Sequence, residues 1–351
     1  MNLVNYLDRY KNISFKESPF NEVDALILSL MSYFPFDLIG KRVIKVDDVT
    51  KFLNEYRPTI KIERKLLDIY VLNTLCHSER FGGIKFVNFT KKRNDESVEQ
   101  FQAVTIHFKD FIFISFCGTD ATTLGWREDF NMSFLDIVPS EVDAIKYAND
   151  VRKLHPFKKI YIGGHSKGGR LSVRAAKELY KKNNLAATFS FDGPNFTDSF
   201  YDETYESMKS LIYEYSPEES IIGRMISDRG NKLIVKSDAR LLNQHNAYTW
   251  LVEDNHFVFA DHYTALSDRI TKASSIIFEK YDNKTKAVFV NTLFDLLEKQ
   301  EINSFTDEDW HKENIFSFIM SARNDWKQIP KEDRKIVWAI ILNILVLTAK
   351  R

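Results

Sequence analysis

The sequence predicts an α/β protein: a mostly parallel sheet flanked by helices, with a helical region toward its C-terminal end. Three observations lead there. From Phe111 onward, short β-branched and aromatic runs alternate with helical ones, the pattern of strands joined by crossover helices. Of the 351 residues, 44% are hydrophobic and 28% charged, enough apolar material for one large core. Beyond residue 262 no strand pattern recurs. Residues 1–262 therefore read as one unit including N-terminal helices, and 263–351 as a helical extension packed on it.

The elements follow in order. "FNEVDALILSLMSYFPFD" (20–37) places apolar residues at helical spacing behind Asn21, a good N-cap. "IERKLLDIYVLNTLCHSERF" (62–81) reads as a second helix, stopped by Gly82 and Gly83. The polar "KKRNDESVEQ" (91–100) reads as an exposed loop. "FQAVTIHF" (101–108) and "FIFISFCGT" (111–119) form a hairpin about Lys109 and Asp110. "SEVDAIKYANDVRKLHP" (140–156) is a helix capped by Ser140 and stopped before Pro156. Then come the strand "KKIYIGG" (158–164), the helix "KGGRLSVRAAKELYKKNN" (167–184) and the strand "AATFSFDGP" (186–194). "SLIYEYSP" (210–217) and "NKLIVKS" (231–237) are two further strands.

Charge excludes one class of function. Lys+Arg and Asp+Glu both number 49, so the basic excess of a nucleic-acid binder is missing. Two cysteines, Cys76 and Cys117, are too few for a disulfide framework, and Cys117 reads as a buried strand residue rather than a catalytic thiol. The first twenty residues lack the pattern of a secretory signal, so a cytoplasmic location is expected. No cofactor and no metal is expected. "IVWAIILNILVLTA" (336–349) is shorter than the ~20 residues that span a bilayer. It reads as a buried terminal helix, with a membrane-surface helix as the alternative.

The chemistry concentrates in "YIGGHSKGGR" (161–170). Gly164-His165-Ser166-Lys167-Gly168 fits G-x-S-x-G, the sharp strand-to-helix turn that exposes a nucleophilic serine. A strand run precedes the motif and a helix follows it, which is the context the motif needs. A serine hydroxyl needs a base, and the base needs an orienting acid. Among the histidines after Ser166, His245 is best placed, in a loop after a strand; His256 and His262 are fallbacks, and His311 also follows the serine. For the acid, Asp192 ends the strand after the elbow helix, with Glu219 and Glu218 in "YSPEES" as alternatives. A tetrahedral oxyanion needs two N–H donors. The backbone of Lys167 supplies one, and Thr119 in "FCGTD", by amide and hydroxyl, the other.

Together "SFCGTD…GWREDFNMSF", "IGGHSKGG" and "FDGP" resemble the α/β-hydrolase superfamily near the class 3 lipases, and more closely the bacterial Mbeg1-like family. "FNEVDALILSLMSYFPF" and "QHNAYTWLVEDNHF" extend the resemblance over roughly residues 15 to 262. It implies a serine hydrolase with Ser166 as nucleophile, His245 as base and Asp192 or another post-strand carboxylate as acid. The expected partner is a small ester or lipid, cleaved through an acyl-enzyme. Lys167 departs from typical lipases, and its charge beside the oxyanion would favour an anionic substrate. The competing reading is a catalytically silent hydrolase fold that binds rather than reacts.

Overall fold

A computed structural model describes residues 1–60, 63–182, 185–227, 229–230, 232–299, 302 and 323–349. Eight strands form one sheet in the order of the chain: β1 (Val43–Ile44), β2 (Lys85–Asn94), β3 (Glu99–His107), β4 (Phe111–Phe116), β5 (Lys159–His165), β6 (Leu185–Phe191), β7 (Ile212–Pro217) and β8 (Lys232–Val235). β1 to β4 pair antiparallel and β4 to β8 parallel. A small hairpin, β9 (Val252–Glu253) and β10 (His256–Phe257), forms its own two-stranded sheet, and the residues flanking it bond back to the β8 edge, Ala260 N–H to Ile234 O and Lys236 N–H to Val258 O.

Four helices precede or interrupt the first strands: α1 (Leu3–Tyr10), α2 (Glu22–Leu30), α3 (Val46–Tyr56) and α4 (Glu63–Cys76). Asn21 caps α2 as expected, its side chain accepting from the amides of Val23 and Asp24 while the Asp24 carboxylate accepts from the Asn21 amide. The helix ends at Leu30 in 3₁₀ turns because Pro35 follows closely. Buried between α2 and the segment that precedes it, Arg80 pairs with Asp24 at 2.5 Å and donates to the carbonyls of Ile13 and Ser18.

Two sequence expectations need correction here. The segment 91–100 is not a loop: β2 runs to Asn94 and β3 starts at Glu99, so its polar side chains lie on a hairpin. Their alternation was hidden because most face water. Ser140 does not cap the next helix, α6 (Pro139–Leu154). Pro139 takes the first helical position, where a missing N–H costs nothing, and Glu141 Oε2 accepts from the Val138 amide at 2.9 Å. The Ser140 amide goes instead to Glu128 Oε1.

Between β4 and β5 lie α5 (Thr123–Asn131) and α6; α7 (Lys167–Tyr180) joins β5 to β6, and α8 (Glu203–Met208) joins β6 to β7. One face of the sheet packs Ile112, Ile114, Ile160 and Ile162 against Ala144, Ala148, Leu171 and Ala175 of α6 and α7. The opposite face, with Phe113, Phe189 and Phe191, is covered by Leu26, Ile27 and Leu30 of α2 and by Trp250 and Phe257. After the hairpin come α9 (Ala265–Lys280), α10 (Asn283–Lys299), α11 (Arg323–Gln328) and α12 (Lys331–Ala349). Val337 and Ile340 of α12 are buried and Trp338 is partly exposed. The side chains beyond residue 340, most of the apolar run 336–349, lie outside the described residues. Among the described residues no helix is long and apolar enough to cross a membrane.

Candidate active site

Ser166 sits at the carboxyl end of β5 with φ 59° and ψ −133°, a conformation that non-glycine residues rarely hold. The glycines on either side explain how the turn closes. A Cβ on Gly164 would stand 2.3 Å from the main chain of Gly168, and one on Gly168 would stand 2.1 Å from the Phe116 carbonyl oxygen. Strand, turn and helix are in backbone contact there, so only hydrogen fits. The Ser166 amide donates to Phe191 O at 2.8 Å, tying the turn to the end of β6.

One residue beyond β6, Asp192 is likewise in the left-handed region, at φ 51°. Its carboxylate is 1% exposed. Oδ2 accepts from His245 Nδ1 at 2.6 Å; Oδ1 accepts from Ser220 Oγ at 2.6 Å, Ser216 Oγ at 3.2 Å and the Gly223 amide at 3.1 Å. Burial pushes the Asp192 carboxyl up, but the bonds from His245 and Ser220 and the charge of Lys232 more than offset it, leaving it below the usual range. An ionised carboxylate can only accept, so it is Nδ1 of His245 that donates to Asp192.

His245 ends a 3₁₀ turn, Leu241–His245, and its ring keeps 28% of its surface exposed. Glu219, the alternative acid, does not reach it. Glu219 Oε2 accepts from the Leu241 amide, and its own amide donates to Gln244 Oε1 at 2.9 Å. Glu219 thus holds the turn that carries His245 and makes no hydrogen bond to its imidazole. Glu218 bonds through its main chain, donating to Val235 O and accepting from the Thr264 amide. His256 pairs with Glu22 at an exposed position, His262 is exposed, and His311 lies outside the described residues.

Ser166 and His245 are brought to the same edge, but among the described residues no hydrogen bond joins the serine hydroxyl to the imidazole. His165 makes the link that sequence reasoning missed. Its ring lies 4.6 Å from that of His245, centroid to centroid, and its Nε2 donates to the His245 carbonyl oxygen at 2.8 Å. Nδ1 then accepts from the Tyr33 hydroxyl at 3.2 Å. A Cβ on Gly118 would meet that hydroxyl and lie 3.1 Å from Ser166 Cβ, so Tyr33 and Ser166 both flank Gly118 in the loop after β4. Nothing in "MSYFPF" marks Tyr33 out, since its partner is 132 positions away.

The loop after β4 carries the predicted Thr119. Its hydroxyl donates to Asp129 Oδ2 of α5 at 2.5 Å, so of the two Thr119 donors only the main-chain amide remains unassigned. Burial pushes the Asp129 carboxyl up to about 6. Lys167 corrects a second expectation. Its ammonium is not beside Ser166; it points into the protein, to Glu128 Oε2 at 3.0 Å, Gln100 Oε1 at 2.5 Å and Gln100 O at 2.8 Å. Burial alone would push it down, yet the carboxylates of Glu128 and Asp129 raise it above the ordinary lysine value. The cation anchors α5 to α7 and presents no charge to a substrate. Cys117 is buried, with its thiol pushed up to about 12. Among the described residues no cluster of three or more His, Cys, Asp or Glu is arranged to hold a metal. A cavity of about 490 Å³ lies between α10, α11 and α12, and none of Ser166, Asp192 and His245 lines it.

Comparison with known proteins adds a family. A family model described as Mbeg1-like matches residues 75–295. No curated protein matches the chain. Among solved structures the chain is similar to Rhizomucor miehei lipase in its native propeptide complex, with 15% identity, 66% of this chain and 68% of that one covered, and a TM-score of 0.40. It is also similar to a mutant form of MDLA from Penicillium cyclopium (11%, 73% and 87%, 0.43). A third is Lip2 lipase from Yarrowia lipolytica (11%, 56% and 80%, 0.36).

Proposed function

The chain belongs to the Mbeg1-like family, with a lipase-like α/β-hydrolase fold, and we propose that it is a serine hydrolase of carboxylic esters, lipid esters or thioesters among them. One observation carries the reading: the buried Asp192–His245 pair at 2.6 Å stands at the same sheet edge as Ser166, which is held in a strained turn.

In this reading His245 Nε2 takes the Ser166 proton as Oγ attacks the ester carbonyl. The oxyanion is met by the main-chain N–H groups of Lys167 and Thr119, an arrangement whose single donors contribute about 3–4 kcal/mol in comparable sites. The imidazolium, steadied by ionised Asp192, then gives its proton to the leaving alkoxide, and the acyl group stays on Oγ. Water, deprotonated by His245, releases the acid and restores the hydroxyl.

The test is a fluorophosphonate probe with intact-mass detection, alongside turnover of p-nitrophenyl esters. Labelling should map to Ser166, and Ser166→Ala should lose both labelling and turnover, the latter by roughly 10³-fold or more. Folded wild-type protein that neither labels nor turns over ester would leave the silent binding module as the function.

A further inference from the structure

The C-terminal helices touch both banks of the candidate site. On one bank, the loop after β7 holds Asp192 through Ser220. There α9 begins: the Thr264 amide donates to Glu218 O at 2.9 Å, Ser267 Oγ donates to Ser220 O at 2.6 Å, and Arg224 pairs with Asp268 at 2.7 Å. The other bank is α5, which follows the Thr119 loop and holds it through Asp129. Here α10 docks. Arg127 reaches Asn291 at 2.9 Å and Asp295 at 3.1 Å, and Phe130 meets Phe294 edge to face at 5.7 Å.

These two banks lie at the carboxyl ends of β7 and β4, and Ser166 and Asp192 follow β5 and β6 between them. Three strand spacings of about 4.8 Å separate the banks, roughly 14 Å. The sixteen residues of α9 extend about 24 Å, more than enough to cross. A chain anchored on the acid loop at one end and on α5 at the other has the length to cross the edge where Ser166 sits.

From this we infer that α9 and α10 form a cap over the site, and that the apolar seam between α5 and α10 receives the acyl chain of the substrate. The inference rests on the hydrolase reading and names the substrate side that reading leaves open. Trp126 and Phe130 of α5 and Val290, Phe294 and Leu297 of α10 form the seam. The polar contacts of Arg127 close its outer rim, with Asp295 more than half exposed to solvent. A long acyl chain must part this seam, whereas an acetyl group needs no such room. Acyl length, not head-group charge, is what the cap selects, consistent with the inward turn of Lys167.

The experiment closes the seam reversibly. Arg127→Cys/Asn291→Cys is bridged with a short bis-methanethiosulfonate reagent and released with dithiothreitol. The native thiols will not compete, because Cys76 and Cys117 are both buried and pushed up to about 12. Bridging should cut turnover of p-nitrophenyl decanoate at least tenfold and leave p-nitrophenyl acetate within twofold, with full recovery on reduction. A second readout needs no catalysis: 10-bromodecanoate should quench tryptophan emission, less so in Trp126→Phe, and bridging should abolish the quench. If the open protein hydrolyses neither ester but the quench persists and responds to the bridge, the hydrolase reading falls and the cap stands. If the bridge changes neither the quench nor the decanoate-to-acetate ratio, the cap is overturned.

Discussion

His165 donates from Nε2 to the main-chain carbonyl of His245 across 2.8 Å, so the residue before the proposed nucleophile holds the residue proposed as its base. Tyr33 completes the strut by donating to Nδ1 of the same ring. His165 is a positioning residue in this arrangement, because nothing requires it to exchange a proton. Removing it frees the His245 turn by a fraction of an ångström to an ångström, a displacement worth up to about 10²-fold in rate. His165→Ala should therefore lower kcat roughly 10- to 100-fold with KM little changed, and Tyr33→Phe should act in the same direction more weakly. A folded His165→Ala protein with wild-type kcat would refute the strut.

Lys167 is fully buried against Glu128, and truncating one partner of a buried pair typically costs about 3–5 kcal/mol. Lys167→Met should lower the urea midpoint accordingly, and Lys167→Met/Glu128→Gln should recover much of the loss. Since the ammonium faces away from Ser166, the double variant should keep the wild-type preference between neutral and anionic esters. A changed preference would return the charge to the substrate side.

Gly168 leaves no room for a methyl group, with a Cβ position 2.1 Å from backbone that cannot yield as a side chain does. Gly168→Ala should cost about 1–3 kcal/mol, the usual range for overpacking, and more if the turn reorganises. Thermal melts show the stability loss, and probe labelling of Ser166 should fall with it. Unchanged melting would mean that β4, β5 and α7 are not in the contact described.

His107 makes stability depend on pH. Its ring packs edge to face on His155, with centroids 4.5 Å apart, and its Nε2 is buried without a hydrogen-bond partner. Burial, then the charges of His155, Lys158 and Lys85, push it down to about 4. An unfolded histidine binds its proton near pH 6.5, so between pH 6.5 and 4 the unfolded chain holds more protons than the folded one. The stability His107 confers by staying neutral is therefore present above pH 6.5 and lost as the pH falls toward 4. His107→Phe should flatten the urea midpoint over this range relative to wild type. An equally steep acid limb in the variant would assign the loss to other groups.

The parts of this molecule legible in the sequence are those whose determinants are local. The elbow reads from five residues together with the strand run before them and the helix after them, because its glycines answer a crowding imposed by those neighbours. The cap at Asn21 and the hairpin at Lys109 are local in the same way. Asp192 and His245 could be ranked, but their union could not, since 53 positions separate them. The direction of Lys167 depends on Glu128, 39 positions back, and the segment 91–100 hid a hairpin under polar side chains. Long-range partners decide such cases, and no window of sequence contains both members.

The sheet's strands succeed one another across it in chain order, and this has a consequence for where the protein can be cut. Right-handed crossovers that always advance in one direction place all their helices on one face. In this chain α6 and α7 cover that face, and among the described residues the connections from β4 to β8 place no side chain in the apolar cluster on the other side. That face is covered instead by α2, with Tyr33 beyond it, so the segment ahead of residue 75 is half of the sandwich rather than an appendage. The apolar layer over the sheet begins well ahead of residue 75, where the family match starts. A fragment begun at residue 75 would lose both the covering of Phe113, Phe189 and Phe191 and the strut behind its own histidines.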